Sequence, residues 1–198
     1  MGYEKGRLSK EQIVQAAAGV VLAKGYVATS IADLSKAAET SAGKLTHHFP
    51  TKIDLFEAVF EATTSQFKAG PLTLLGDTSH SPQRRIGDFF KAMYQLYAAQ
   101  PDPIGCPVGH AAGDSEGVSP QMRADAFNYL AQTEKLFEKA FLELGDTQPS
   151  AHSKAITFVS AWQGAVVIAR GGGGIQHIER VFRSLRSMTR SSVSHAEK

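Results

Sequence analysis

Apolar residues recur along this chain at spacings of three and four, the period of helices with one buried face. Over residues 10–24, Ile13, Ala17, Val20 and Val21 share a face, and Gly25 follows as a stop. Ile31, Leu34 and Ala38 repeat the pattern over residues 31–38. Leu45 and Phe49, four apart, mark a shorter helix that opens near Ser41 and ends at Pro50. From residue 52, Ile53, Phe56, Val59 and Phe60, with Leu55 beside them, predict a longer helix. Three start signals agree: Ser9 precedes Gln12, Ser30 precedes Asp33 and Thr51 precedes Asp54. At that spacing a hydroxyl accepts from an orphan N–H and the amide or carboxylate reaches back to the cap.

The stretch AGPLTLLGDTSHSPQ breaks the pattern and places a domain boundary at about residues 68–82. A helix follows Pro82 with Ile86, Phe89, Phe90, Met93, Tyr94 and Tyr97 on it. AQPDPIGCPVGHAAGDSEG reads as a broken connection with room for one short helix. Ser119 and Pro120 are an N-cap and N1 pair opening a helix to about Leu144. A long apolar helix runs from near Pro149 to Arg170, where four glycines interrupt it. A last helix spans residues 175–189, with a loose tail. The expectation is an all-α fold of about nine helices.

Composition narrows the class. The chain has 198 residues, 42% apolar and 20% charged, the balance of a soluble globular protein. One cysteine, Cys106, excludes an intrachain disulfide framework. No signal peptide and no run long enough for a membrane span is visible, so the expected location is the cytoplasm. The net charge of +2 says little. The first 52 residues say more, because seven basic residues (Lys5, Arg7, Lys10, Lys24, Lys36, Lys44, Lys52) stand against Glu4, Glu11, Asp33 and Glu39.

Residues 30–48 hold two short helices with a tight break, braced by the helix before them, which is the size and order of a helix-turn-helix. The second helix offers Ser41, Ala42, Gly43, Lys44, Thr46 and His47 to a groove, with Leu45 and Phe49 as anchors behind. Helix N-termini near Thr29, Ser30, Ser41 and Ala42 suit phosphate. Gly43 permits close backbone approach, and Lys52 reaches a backbone as a point charge. His47 and His48 are not expected to hold a metal: neighbours on a helix diverge by about 100°, and no thiol or acid stands near them in sequence. No cofactor is expected.

The stretch GYVATSIADLSKAAETSAGKLTHHFPTKIDLFEAVF resembles the DNA-binding domain of the TetR family of transcriptional regulators, over about residues 9–60. Gly25, Tyr26, Thr29, Ser30, Ile31, Leu34, Ala37, Ala38, Ser41, Gly43, Leu45, His47, Phe49, Lys52 and Leu55 carry it in matching order. By position it implies that Thr29, Ser41, Lys44, Thr46, His47 and Lys52 face double-stranded DNA. Lys44 and Thr46 depart from the family, as does Glu39, which stands where a glycine is common.

The implied organisation is a helix-turn-helix domain over residues 1–50, a connecting helix over 51–67 and an effector-binding and dimerisation domain over 68–198. SKAITFVSAWQGAVVIAR resembles the penultimate helix of that fold, pairing with the last helix in a homodimer. Arg180, Arg183, Arg186 and Arg190 then form a solvated face or interfacial ion pairs. Phe89, Phe90, Tyr94, Tyr97, Phe127, Phe137 and Trp162 are core or effector-pocket residues.

PIGCPVGHAAGD resembles a segment of the subgroup related to the repressors of lincomycin resistance and N-ethylmaleimide reductase, some of which sense electrophiles or oxidants through the cysteine. The match rests on Gly105 and Cys106, with Arg170 where one such sensor has a lysine. The expected function is a repressor released from a palindromic operator by a small apolar or aromatic effector. Alternatives are a sensor acting through Cys106, a constitutive DNA-binding protein without effector, and a small cysteine-dependent enzyme. GGGGIQHIE lacks the Lys-Ser/Thr ending of a phosphate loop, and no nucleophile-base constellation supports the last.

Overall fold

Ser9, Ser30 and Thr51 each accept a hydrogen bond from the backbone N–H three residues on, and Gln12, Asp33 and Asp54 each accept one from the cap's own N–H. These boxes start α1 (Lys10–Lys24), α2 (Ile31–Ala37) and α4 (Lys52–Phe67) where the sequence places them. Ser41 caps α3 (Ala42–His48) through the Lys44 N–H. The structure, a computed structural model, describes residues 9–100, 105–114 and 116–189, and all its regular elements are helical. Arg190 and the tail lie outside the described residues.

Ile13, Ala17, Val21, Tyr26, Leu34, Leu45, Phe49 and Phe56 close the N-terminal core. Some positions differ from the expected stripes, Ile31 being only half-buried. Val14 is buried in α1 while Val20 is only half-buried. In α4, Ile53 is exposed, because it lies in the first turn at the edge of the stripe made by Leu55, Phe56, Val59 and Phe60.

The expected break at residue 68 is not where the helix ends. α4 runs on through a widened turn (Lys68–Leu72) into α5 (Thr73–Gly76). Pro71 sits inside it, where an ordinary turn would meet the ring with a clash. The π-type turn relieves that crowding, and the Thr73 hydroxyl donates to the Lys68 carbonyl at 2.9 Å. Burial of Pro71, Leu72 and Leu75 favours continuing the helix, so hydrophobic burial outweighs the local break signal.

The second bundle holds α6 (Pro82–Ala98), α8 (Pro120–Glu143), α9 (Gln148–Ile168) and α10 (Gly174–Met188). Ser81 and Ser119 cap α6 and α8, each followed by proline at the first helical position. Between α9 and α10 the chain turns at Gly172 and Gly174, whose φ values of 115° and 62° suit glycine alone among common residues. Buried Arg85 pairs with Glu143 and ties α6 to the end of α8. A short helix, α7 (Pro107–Gly113), packs against α4 and α8 and so lies between the two bundles.

Candidate functional site

The turn between α2 and α3 is closed by two backbone bonds, Glu39 N–H to the Lys36 carbonyl at 3.2 Å and Thr40 N–H to the Ser35 carbonyl at 2.9 Å. This is the glycine-preferring C-terminal motif of a helix, and Glu39 occupies its left-handed position at φ 48°. A side chain there costs about 1–2 kcal/mol. Glu39→Gly is therefore expected to stabilise the protein by about 1 kcal/mol after the added chain entropy of glycine. An unchanged or lower urea midpoint would show that the position is not strained.

Beyond the turn, α3 presents Ser41, Ala42, Gly43, Lys44, Thr46 and His47 to solvent, with Leu45 and Phe49 buried beneath. Nothing crowds Gly43, so another surface can approach the helix backbone there. The Thr46 hydroxyl donates to the Gly43 carbonyl at 3.1 Å, and that of Ser30 to Asp33 at 2.7 Å. Lys52 Nζ lies 5.0 Å from the centre of the Phe56 ring. Lys10 Nζ stands equally far from Phe49 at the base of α3, a basic position the α3 pattern did not single out. The His47 and His48 rings meet edge to face, and no group of three metal-ligating side chains exists among the described residues.

Thr29 needs correction. Its side chain is buried, and its hydroxyl donates to the Gly25 carbonyl at 2.6 Å, so it faces the domain interior rather than a polyanion. Lys24 and Asp33 brace α1 against α2 at 2.5 Å. The Lys24 ammonium and the Ser30 cap hold the Asp33 carboxyl well below its usual range.

In the second bundle a cavity of about 360 Å³ opens between α7, α8 and α9. Phe127, Leu130, Val166 and Val167 form its apolar wall, and Cys106, His110, Gln163 and Arg170 its polar one. Cys106 and Phe127 are therefore on the cavity. Phe89, Phe137 and Trp162 are not, since they are fully buried and packed ring to ring. Tyr97 is buried behind them, accepting from Trp162 Nε1 at 2.8 Å. Phe90 packs against Phe182 at 4.8 Å, and its edge joins Tyr94 in a separate groove of about 190 Å³. Of the four aromatics on α6, Phe89 serves the core, Phe90 and Tyr94 border the other groove, and Tyr97 reaches the Cys106 side chain from behind the cavity.

The Cys106 sulfur caps α7, accepting from the Gly109 N–H at 3.4 Å and from Gln163 Nε2 at 3.6 Å. Burial pushes its thiol up from the ordinary range. A reactive sensor needs the opposite shift, toward thiolate. The Arg170 guanidinium reaches across to the N-terminal unit, with Nη2 donating to the Lys24 carbonyl at 2.7 Å and Nη1 3.2 and 3.3 Å from the two His110 ring nitrogens.

Burial and the adjacent Arg170 charge hold His110 below the usual histidine range, so its ring is neutral at pH 7. A neutral imidazole has one acceptor nitrogen to offer the guanidinium. Asp114, at the end of α7, accepts from the Tyr26 and Val27 N–H groups at 3.0 and 3.4 Å. The clasp that α7 and Arg170 make on the turn after α1 was not visible in the pattern of α7, since its partners stand 60 to 146 residues away.

A three-helix unit with an exposed polar helix over apolar anchors, clasped to a helical domain with its own cavity, defines a helix-turn-helix regulator of DNA. A family model for bacterial regulatory proteins of the tetR family matches residues 13–59, and one for the LmrA/YxaF-like C-terminal domain of transcriptional regulators matches residues 82–184. The chain belongs to the TetR family of bacterial transcriptional regulators, and it is a regulator rather than an enzyme.

It is similar to the HTH-type transcriptional repressor DhaR of Mycobacterium sp. (strain GP1), 24% identical over 163 residues that cover 80% of each chain. Among solved structures it is similar to a TetR transcriptional regulator from Legionella pneumophila, with a TM-score of 0.76, 24% identity and coverage of 91% of this chain and 97% of that one. The reduced form of E. coli NemR gives a TM-score of 0.67 at 17% identity, covering 90% and 95%, a likeness of fold. Family regulators of this kind bind DNA operators and dimerise. Among the described residues no helix is long and apolar enough to cross a membrane.

Proposed function

We propose that the protein is a homodimeric repressor that holds a palindromic operator through α3 and releases it when a small apolar or aromatic molecule enters the cavity beside Cys106. One observation carries this reading: α7 and its N-cap wall the cavity with His110 and Cys106, and its C-cap residue, Asp114, holds the backbone of Tyr26 and Val27. A ligand that binds one setting of α7 better than another thereby shifts the DNA-binding unit, by as much as its affinities for the two settings differ. The dimer face on this reading is α9 with α10. Ile168 is 52% exposed on the single chain, beside half-buried Ala161 and Gly164, which allow close helix approach.

The test is selection of enriched duplexes from a DNA library at a stated salt concentration, with the stoichiometry of the bound species. A two-fold site bound by a dimer is the expected result. With that site in hand, Lys44→Ala is expected to weaken binding by about 1–3 kcal/mol and to relax preference at one base step. Lys52→Ala should weaken it evenly across sequences and reduce the salt slope by about one. If no sequence is enriched and binding is weak and wholly salt-driven, the operator reading is wrong.

A further inference from the structure

Arg170, like His110 through Leu22, lines the cavity and also hydrogen-bonds the backbone of α1. Among the described residues it forms no ion pair with any carboxylate. Asp114, the acid nearest in the network, is directed at the Tyr26 and Val27 N–H groups. The partners Arg170 does have, a carbonyl and an imidazole, are both uncharged. A half-buried guanidinium in a largely apolar wall thus has no carboxylate at ion-pair distance, and its planar fork suits a carboxylate held by two parallel bonds.

The remaining wall fits the rest of such a ligand. Phe127, Leu130, Val166 and Val167 offer an apolar channel, and the Gln163 amide stands beside the sulfur as a further polar handle. The volume, about 360 Å³, is that of a small-ligand site. Arg170 also lies within the widened turn Ala169–Gly173, next to Gly171 and Gly172, so its head can shift without bending α9.

Resting on the reading of this cavity as the effector site, we propose that it takes an amphipathic carboxylate whose head pairs with Arg170 and draws the guanidinium off the Lys24 carbonyl. The pairing stabilises the ligand in the cavity and removes a bond that holds α1. Ligand chemistry and the loosening of the DNA-binding unit are then the same event. A neutral ligand of equal shape fills the apolar wall but leaves the Lys24 bond in place.

The test uses the full chain and matched probes: hexanoate, octanoate and 3-phenylpropanoate, each beside its primary amide and its alcohol. Binding is read by calorimetry, and operator release by fluorescence anisotropy with the selected duplex. The expected result is that an acid binds at least about tenfold more tightly than its amide, a charge-assisted pair against a neutral one, and that the acid alone releases the operator. In Arg170→Gln the preference for acid over amide should vanish, while Arg170→Lys retains part of it.

Equal affinity of acid and amide in the native protein overturns the proposal, and that comparison stands even if Arg170→Gln does not fold. So does an acid preference that survives in Arg170→Gln. If amides and alcohols bind as well as acids, the carboxylate proposal fails and the effector-site reading stands. If no probe of any class binds, both fail.

Discussion

Gly105→Ala is expected to cost about 3 kcal/mol or more, and to lower Tm by about 6–12 °C in a chain of this length. A Cβ at Gly105 would stand 1.9 Å from the Leu22 carbonyl oxygen and 2.4 Å from His110 Nε2. The first is backbone of α1 and has no rotamer to change, so either α1 or the start of α7 must move. The same movement disturbs the His110 and Arg170 contacts on the end of α1. The variant should therefore lose operator affinity more steeply than its lowered stability alone explains. Thermal unfolding and DNA titration of the same sample check both parts. A Tm within a degree of the native protein would mean that this segment does not press on α1.

Phe137→Ala is the second large effect, with an expected loss of about 3–5 kcal/mol. Phe137 is fully buried on α8, and its ring meets Phe89 at 5.0 Å, Phe158 at 5.6 Å and Phe90 at 5.7 Å. Truncation removes those contacts and opens a void in a core drawn from three helices. The measurement is the urea midpoint, paired with effector affinity at a temperature where the variant is folded. Stability should fall sharply while the ligand preference of the cavity beside Cys106 is retained. A small stability loss with altered ligand preference would place Phe137 on a ligand site after all. Phe127→Ala should show the reverse pattern, because Phe127 is 56% exposed at the cavity rim.

These two positions mark where the sequence was legible and where it was not. Phe137 and Phe127 are both aromatic residues on α8 and looked alike as pocket candidates. Ten residues of helix, about 1000° at 100° per residue, leave them only about 80° apart around α8, and only their neighbours decide which of the two is inward. Ile53 was misplaced for the same reason, as an apolar residue at the margin of its stripe. Thr29 was legible as a polar residue at a helix entry, but its hydroxyl turns back to Gly25.

The local features were readable because their causes are local. Capping boxes at Ser9, Ser30 and Thr51 need only a residue and its third neighbour, and the glycines after α9 need only their own φ. The exposed face of α3 follows from Leu45 and Phe49 being anchors four apart. The sequence by itself thus determined the helical class, the ends of the N-terminal helices and the polar face of the recognition helix. Tertiary structure decided which aromatics are core, that Pro71 is kept inside a continuing helix, and that Arg170 binds the end of α1 and Asp114 the turn after it. Those outcomes depend on groups up to 146 residues apart, brought together by burial that no local pattern encodes.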